Sequence, residues 1–237
     1  RIRSWHHMLT ENGMDVTSIG KLHYTREEDP FGFNRQINPM HIHDGVGDLR
    51  GSVKRPMAPP YRKWRGIERL GPGESTYTRY DSDITDTACD FLREKAINHD
   101  DKPWALFASL VCPHPPYSAP QEYFDMYPEA EMPKPKLIDP DAPLHPWMVK
   151  LGRCRNFNDF VDEEIRRRIM SNYFGCVSYL DFNIGRILQC LDECGLRDNT
   201  IIVYTSDHGE NLGTRQIWGK MNMYEEAAAI PMIVAGP

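Results

Sequence analysis

Residues 162–209 read DEEIRRRIMSNYFGCVSYLDFNIGRILQCLDECGLRDNTIIVYTSDHG, and the change of pattern inside this stretch decides the fold. Apolar residues recur every three or four positions over Asp162–Cys194, as Ile165 and Ile169 illustrate, which is the spacing of one helix face. The run TIIVYTS at 200–206 is apolar and β-branched, and a short run of that kind predicts a buried strand. The stretch therefore predicts a long helix followed by a strand of a parallel sheet.

The same two patterns recur in the rest of the chain. Helical spacing is found at 3–12 and 81–98, and strand patterns at Val16–Tyr24, Trp104–Val111 and Pro231–Ala235. Helices that alternate with apolar strands predict an α/β domain with a mostly parallel sheet sandwiched by helices. Residues at about 25–80 and 128–160 are rich in proline and lack a clear period, so we interpret them as loop-rich excursions from a single domain.

Length and composition narrow the class of protein. The chain has 237 residues, of which 40% are hydrophobic and 26% charged, a balance typical of one large globular domain. No run of eighteen apolar residues occurs, so we predict no transmembrane helix. The formal net charge of −6 argues against a dedicated nucleic-acid binder, which would show a basic face. The six cysteines lack the spacing of a zinc site, and we interpret them as reduced thiols of a cytoplasmic protein.

Asp207 and His208 come directly after the predicted strand at 200–206. Ligands of parallel sheets bind beyond the carboxyl ends of the strands, where a carboxylate beside an imidazole can reach one metal ion. Gly209 permits a sharp turn that lets the backbone come close. The alternative is an aspartate that caps the next helix and a histidine that faces solvent.

Two lysines and a histidine are candidates to bind an anion. Lys220 lies in the sequence WGKM, where partial shielding from water would strengthen its attraction for an oxyanion. Lys21 and His23, in the sequence GKLH, point to the same face if the predicted strand continues through both of them. They would then suit a tetrahedral oxyanion and its leaving oxygen. The alternatives are a surface lysine and an exposed edge strand.

His114 lies in the proline-rich sequence CPHPPY, which follows the predicted strand Trp104–Val111. The flanking prolines restrict the backbone and so hold the imidazole in place. A fixed imidazole suits a group that donates a proton or a hydrogen bond to a leaving oxygen. The alternative is a proline-rich turn with an incidental histidine.

In their order along the chain, these motifs resemble those of the sulfatase branch of the alkaline phosphatase superfamily. The order is a GKLH strand, a PHPP loop after a strand, a long helix, a strand ending in SDHG, and WGK. Residues 172–237 are especially similar to choline-sulfatase-like and phosphonate-monoesterase-like bacterial members. The resemblance implies an alkaline-phosphatase-like α/β fold, incomplete at both ends of this chain, and a hydrolase of sulfuric esters.

The resemblance also implies that Asp207 and His208 bind a divalent metal ion. Many members of the family have asparagine where His208 stands, and a ligand set made only of oxygen suits Ca²⁺. An imidazole nitrogen shifts the preference toward Mn²⁺ or another transition metal. Calcium is therefore the first expectation, on family grounds, and manganese is the second.

By the same resemblance Lys220 would contact the sulfate, Lys21 and His23 would hold the sulfate and the leaving oxygen, and His114 would assist its departure. The family nucleophile is a formylglycine made from the cysteine or serine of a C-x-P-x-R motif. None of the six cysteines stands in such a motif. We therefore expect the formylglycine, together with further metal-binding aspartates, upstream of Arg1, and we expect the chain alone to be inactive.

Three other functions stay open on the sequence. Phosphonate and phosphate esters are tetrahedral oxyanions like sulfate esters, so the same site could hydrolyse them. A non-catalytic relative that kept the scaffold would lack C-x-P-x-R in its whole gene. A nucleic-acid binder would use the basic segment 50–69, but that segment holds no recognisable binding module. We expect a small sulfate or phosphonate ester as substrate and no nucleic acid or membrane as partner, and the loop-rich segments leave a homo-oligomer open.

Overall fold

The structure of the chain is a computed structural model. It describes residues 3–22, 31–40, 42–43, 46–47, 70–98, 102–135, 143, 145–149 and 161–237. The chain divides into two compact units, and each is described by itself. Unit one comprises residues 1–53, 75–112 and 179–197, and unit two comprises residues 54–74, 113–178 and 198–237.

The regular elements are numbered in chain order. The strands are β1 (Asp15–Gly20), β2 (Arg35–Ile37), β3 (Ile42–His43), β4 (Val46–Gly47), β5 (Trp104–Ser109), β6 (Ile202–Thr205) and β7 (Met232–Ala235). The helices that position the site are α1 (Trp5–Glu11), α2 (Thr76–Ile97), α3 (Gln121–Phe124), α4 (Glu163–Glu193) and α5 (Glu225–Ala228). Residues of α4 up to 178 belong to unit two, and those from 179 onward belong to unit one.

Unit one contains a parallel sheet of three strands in the order β2-β1-β5. The central strand β1 is buried on both faces, since neighbouring residues such as Val16 and Thr17 are both fully buried. β3 and β4 form a separate antiparallel pair. Parallel strands with intervening helices confirm the predicted α/β fold class.

The two long strands of this sheet end earlier than the sequence predicted. Gly20 has φ +98, a left-handed conformation that takes the chain out of β1, so the predicted strand is wrong at residues 21 and 22. The rest of that prediction, up to Tyr24, lies outside the described residues. β5 ends at Ser109, which pairs with Gly20, rather than at Val111. Both strands therefore stop at the same edge of the sheet.

The predicted long helices are confirmed, with one early start. α2 begins at Thr76 rather than at residue 81, because Ser75 caps it by accepting a hydrogen bond from the N–H of Thr78 at 3.1 Å. Its buried face contacts the second half of α4: the hydroxyl of Tyr179 donates to the Thr78 carbonyl at 2.7 Å. Gly195 follows α4 with φ +67, as expected of a helix stop.

Among the described residues of unit two, five buried side chains form a core: Tyr117, Ala119, Ile169, Cys176 and Trp218. They come from the proline-rich loop, from the first half of α4 and from the WGK segment. The short strands β6 and β7 pair antiparallel in this unit, with Ile202 opposite Ala235. Three segments that are distant in sequence thus share one core.

The prediction that the strand at 200–206 is buried is wrong for this chain, and the strand that pairs with it is exposed as well. Val203 is 55% exposed and Met232 is 70% exposed. In the part of the chain that the structure describes, β6 and β7 pair only with each other, so their apolar side chains gain no cover from further strands.

No helix among the described residues is long and apolar enough to span a membrane. None of the five described cysteines forms a disulfide, in agreement with their interpretation as thiols. The prediction that the chain is a single domain and the prediction that it is cytoplasmic stay predictions.

Candidate active site

In unit one, the backbone around Lys21 is held tightly at the edge where β1 and β5 end. The N–H of Lys21 donates to the Ser109 carbonyl at 2.9 Å. A Cβ on Gly20 would lie 2.5 Å from that same oxygen and 2.6 Å from Cδ1 of Ile84, so only glycine fits there. Leu22 is buried, and Lys21 itself is half-buried. The sequence predicted that Lys21 and His23 lie on one face of a continuing strand. This is wrong for Lys21, which lies beyond the end of β1, and His23 lies outside the described residues.

Asp81, on α2, is a buried carboxylate beside this strand edge. One carboxylate oxygen accepts the N–H of Val111 at 2.7 Å and the other accepts the N–H of Cys112 at 2.8 Å. Burial raises the pKa of the Asp81 carboxyl, while these hydrogen bonds and the nearby charge of Lys21 oppose that shift. Sequence reasoning missed Asp81, since an aspartate early in a helical pattern is an ordinary surface or capping residue.

In unit two, Asp207 and His208 follow β6 directly, as predicted. Oδ1 of Asp207 lies 3.5 Å from Nε2 of His208, with 72% and 33% of their side chains exposed. Nδ1 of His208 lies 2.9 Å from the carbonyl of Gly209, which can only accept, so Nδ1 carries the proton. The second ring nitrogen, Nε2, lies on the side of Asp207.

Gly209 is needed for a close backbone approach. Its N–H donates to the Ala227 carbonyl at 2.9 Å, and an added Cβ would lie 2.1 Å from the carbonyl oxygen of Glu226. The Asp207–Gly209 turn is therefore packed against α5. No larger residue fits at this position without a shift of the backbone.

A metal ion that binds both Asp207 and His208 fits this geometry. Ligand oxygens and nitrogens lie about 2.0–2.2 Å from Mn²⁺-sized or Zn²⁺-sized ions, so two such atoms 3.5 Å apart can share one ion. In the described ranges, no group of three or more His, Cys, Asp or Glu side chains could hold a metal ion. The two residues alone would supply only part of a ligand set.

His114 lies in the loop between β5 and α3, in unit two. Its Nδ1 donates to the carbonyl of Pro115 at 2.7 Å, which fixes the ring and turns Nε2 away from the backbone. Three residues later, Tyr117 is fully buried in the unit-two core. The predicted stiff loop is therefore anchored by an aromatic residue that the sequence did not single out.

Lys220 is half-buried and follows a glycine whose backbone is fixed on both sides. The N–H of Gly219 donates to Oε1 of Glu210 at 2.6 Å, and its carbonyl accepts the N–H of Asn211 at 3.1 Å. Trp218, on the other side of Gly219, is buried in the core. The DHG turn and the WGK segment are thus joined through residues 210, 211 and 219.

The candidate residues of unit two therefore lie on three connected segments, which carry His114, the pair Asp207 and His208, and Lys220. Lys21 belongs to unit one. Sequence reasoning also missed Glu210, although its place directly after Asp-His-Gly was a usable signal.

Sequence comparisons point to one family. The family profile described as Sulfatase matches residues 8–237. The chain is 30% identical to the choline-sulfatase of Rhizobium meliloti (strain 1021) over 247 residues, which covers 100% of this chain and 48% of that protein. It is 28% identical to an arylsulfatase of Clostridium perfringens, over 97% of this chain and 51% of that protein.

The fold is similar to that of a solved hydrolase. The crystal structure of the phosphonate monoester hydrolase of Agrobacterium radiobacter matches with a TM-score of 0.68 and 23% identity, over 99% of this chain and 52% of that chain. The chain therefore spans about half the length of the relatives that it matches.

Proposed function

Because the chain belongs to the sulfatase family, as its motifs predicted, we propose that it is part of a metal-dependent hydrolase of small sulfuric esters. The relatives named above include a choline-sulfatase and an arylsulfatase. The observation that carries the proposal is the pair Asp207 and His208 after β6, in which Oδ1 and Nε2 lie 3.5 Å apart. Glu210, two residues further along, connects this turn to Lys220 through the N–H of Gly219.

Asp207 and His208 would hold the metal ion. The hydrogen bond from Nδ1 of His208 to Gly209 supports this role, because a second partner on the ring is typical of metal-binding histidines. When bound, a divalent cation supplies positive charge that neutralises ester oxygens and sharpens a nucleophile. Calcium is the first candidate on family grounds, and manganese is the second because one ligand is nitrogen.

Lys220 and Lys21 would stabilise the negative charge that grows on the sulfate oxygens. A fixed ammonium group in a partly shielded site stabilises such charge more strongly than it does in water. The backbone of each lysine is held by hydrogen bonds, Lys21 through Ser109 and Lys220 through its neighbour Gly219. The backbone that carries each lysine then need not move as charge develops.

His114 would protonate the leaving oxygen. With Nδ1 donating to Pro115, a protonated ring keeps that bond and has the proton on Nε2 to give. His23 is the alternative donor. The nucleophile would be a formylglycine in a part of the protein outside these 237 residues, since C-x-P-x-R is absent from them and the chain spans about half of its relatives.

The full-length gene product should be tested with matched esters. We expect turnover of 4-nitrophenyl sulfate that exceeds turnover of the corresponding phenylphosphonate monoester, that stops with EDTA, and that returns with Ca²⁺ or Mn²⁺. Faster phosphonate cleavage would instead assign the protein to phosphonate ester hydrolysis, since two lysines and a metal ion serve either oxyanion. No turnover of either ester would leave a non-catalytic relative.

A further inference from the structure

Glu210 connects the segments of unit two that carry the candidate residues. Its Oε1 accepts the N–H of Gly219 at 2.6 Å and the N–H of Leu212 at 3.3 Å. The Glu210 carboxylate also lies close enough to Tyr117 for its charge to act on the phenol. One side chain thus holds the turn after Asp207-His208-Gly209 and the residue before Lys220, beside the proline-rich loop.

The loop that Glu210 holds has an unfavourable backbone. Leu212, Gly213, Arg215 and Gly219 all have positive φ values, of 45°, 84°, 55° and 79°. For residues other than glycine that conformation is strained, so it persists only where the surroundings fix it. Residues 212–219 therefore need outside contacts to keep one shape.

The N–H and the carbonyl of Gly219 are both held, by the consecutive residues Glu210 and Asn211. Glu210 accepts its N–H, and Asn211, which is 1% exposed, donates to its carbonyl from both the backbone N–H and Nδ2. The peptide that leads into Lys220 consequently has little freedom. The direction in which the Lys220 side chain leaves the loop is set there.

Tyr117 places the Glu210 carboxylate beside the core of unit two. Tyr117 is fully buried, and its ring centroid lies 5.5 Å from that of Tyr173 in an edge-to-face contact. Burial raises the pKa of the Tyr117 phenol well above its ordinary value, and the charge of Glu210 raises it further, so the phenol stays neutral. The carboxylate therefore lies next to a packed neutral ring while it holds the Gly219 and Leu212 N–H groups.

We propose that Glu210 is a positioning residue for Lys220, holding the Gly219 peptide so that the lysine ammonium meets the substrate oxyanion. The proposal rests on the proposed function of Lys220. It assigns Glu210 no contact with the substrate and no proton transfer. The carboxylate acts through the backbone only.

A double-mutant cycle in the full-length protein tests this role. We expect Glu210→Ala to lower kcat/KM by about 10–100-fold, the usual cost of removing a group that supports a functional residue. In a Lys220→Ala background the same change should cost almost nothing, because the two residues act as one unit. An equal loss in both backgrounds would overturn the proposal. Glu122→Ala, an exposed glutamate of unit two, is the matched control.

Glu210→Gln separates positioning from charge. Glutamine keeps an oxygen that can accept the Gly219 N–H, so we expect activity close to that of the unchanged protein. A loss as large as that of Glu210→Ala would overturn a backbone-holding role. If Glu210→Ala does not fold, Glu210→Asp shortens the side chain by one methylene, withdraws the carboxylate from the Gly219 N–H, and should show the same coupling to Lys220.

Hydrogen exchange gives a result that does not depend on turnover. In Glu210→Ala the amides of residues 217–221 should exchange faster, whereas Glu122→Ala should leave them unchanged. Unchanged exchange in Glu210→Ala overturns the inference even if the protein is an active sulfatase. If Glu210→Ala exchanges faster but the unchanged protein hydrolyses no ester, the proposed function is wrong. The inference that Glu210 holds the Gly219 peptide would still stand.

Discussion

Lys21 and Lys220 lie in different units, yet each is next to a carboxylate that holds backbone N–H groups. In unit one, Asp81 accepts the N–H groups of Val111 and Cys112. In unit two, Glu210 accepts those of Gly219 and Leu212. The same device, a carboxylate that fixes a loop beside a lysine, is thus built on two kinds of scaffold.

The difference lies in what surrounds each carboxylate. Asp81 stands on a regular helix and faces the ends of two paired strands, whereas Glu210 stands in a loop that contains four positive φ values. A regular scaffold keeps its shape through its own hydrogen-bond ladders. An irregular loop depends on individual side chains, so removing one contact should move it further.

Replacing the two lysines should give the largest effects. Removing one group that stabilises a developing oxyanion costs about 10²–10³-fold in rate. We therefore expect Lys220→Ala and Lys21→Ala each to lower the turnover of a sulfate ester by that amount in the full-length protein. The exposed Lys102→Ala is the control. Normal turnover in Lys21→Ala would show that Lys21 does not stabilise the oxyanion and would leave Lys220 as the lysine that does.

Replacing the glycine that precedes each lysine should lower the stability of the protein by different amounts in the two units. Alanine at Gly219 adds only left-handed strain of about 1–2 kcal/mol, because nothing lies within 4 Å of the added Cβ. Gly20→Ala adds the same strain and also meets Ser109 and Ile84, which costs about 1–3 kcal/mol more. Thermal unfolding should show the larger loss for Gly20→Ala, and equal losses would contradict the tight strand edge.

Asp81→Asn should destabilise unit one by about 1–3 kcal/mol, because an amide offers one acceptor where two buried N–H groups need one each. The exposed Asp83→Asn on the same helix is the matched control. Denaturant unfolding would measure the difference. A neutral result for Asp81→Asn would mean that solvent satisfies one of these N–H groups.

The smallest effect should come from an exposed carboxylate at the start of α4. Hydrogen bonds from Arg166 and then Arg167 lower the pKa of Glu163 from its ordinary value of 4.5 to about 2. Its contribution to stability is therefore complete above pH 4.5 and is lost as the pH falls through about 2. Glu163→Gln should be slightly less stable than the unchanged protein at neutral pH, and the gap should close in acid. A gap that persists at low pH would point to helix packing instead.

The sequence predicted the regular parts of this molecule better than the loops. The apolar spacing of α4 and the capping residues near α2 have local causes, so their helices could be found directly. The end of β1 at Gly20 and the exposure of β6 depend on neighbours distant in sequence, and those predictions were wrong. Asp207, His208, His114 and Lys220 were found by their place after strands or in short motifs. Asp81 was missed because its partners are backbone N–H groups, which carry no signal in the sequence. Glu210 has the same kind of partner and was missed as well, although it directly follows Asp-His-Gly.

The central claim is that Asp207 and His208 bind the metal ion of a sulfuric ester hydrolase. Its most direct test is the metal content of the full-length protein, measured by mass spectrometry alongside hydrolysis of 4-nitrophenyl sulfate, for the unchanged protein and for Asp207→Ala. The exposed Asp198→Ala serves as the control. We predict that Asp207→Ala loses both the bound divalent cation and the turnover, while Asp198→Ala keeps both. Unchanged metal content and turnover in Asp207→Ala would contradict the claim.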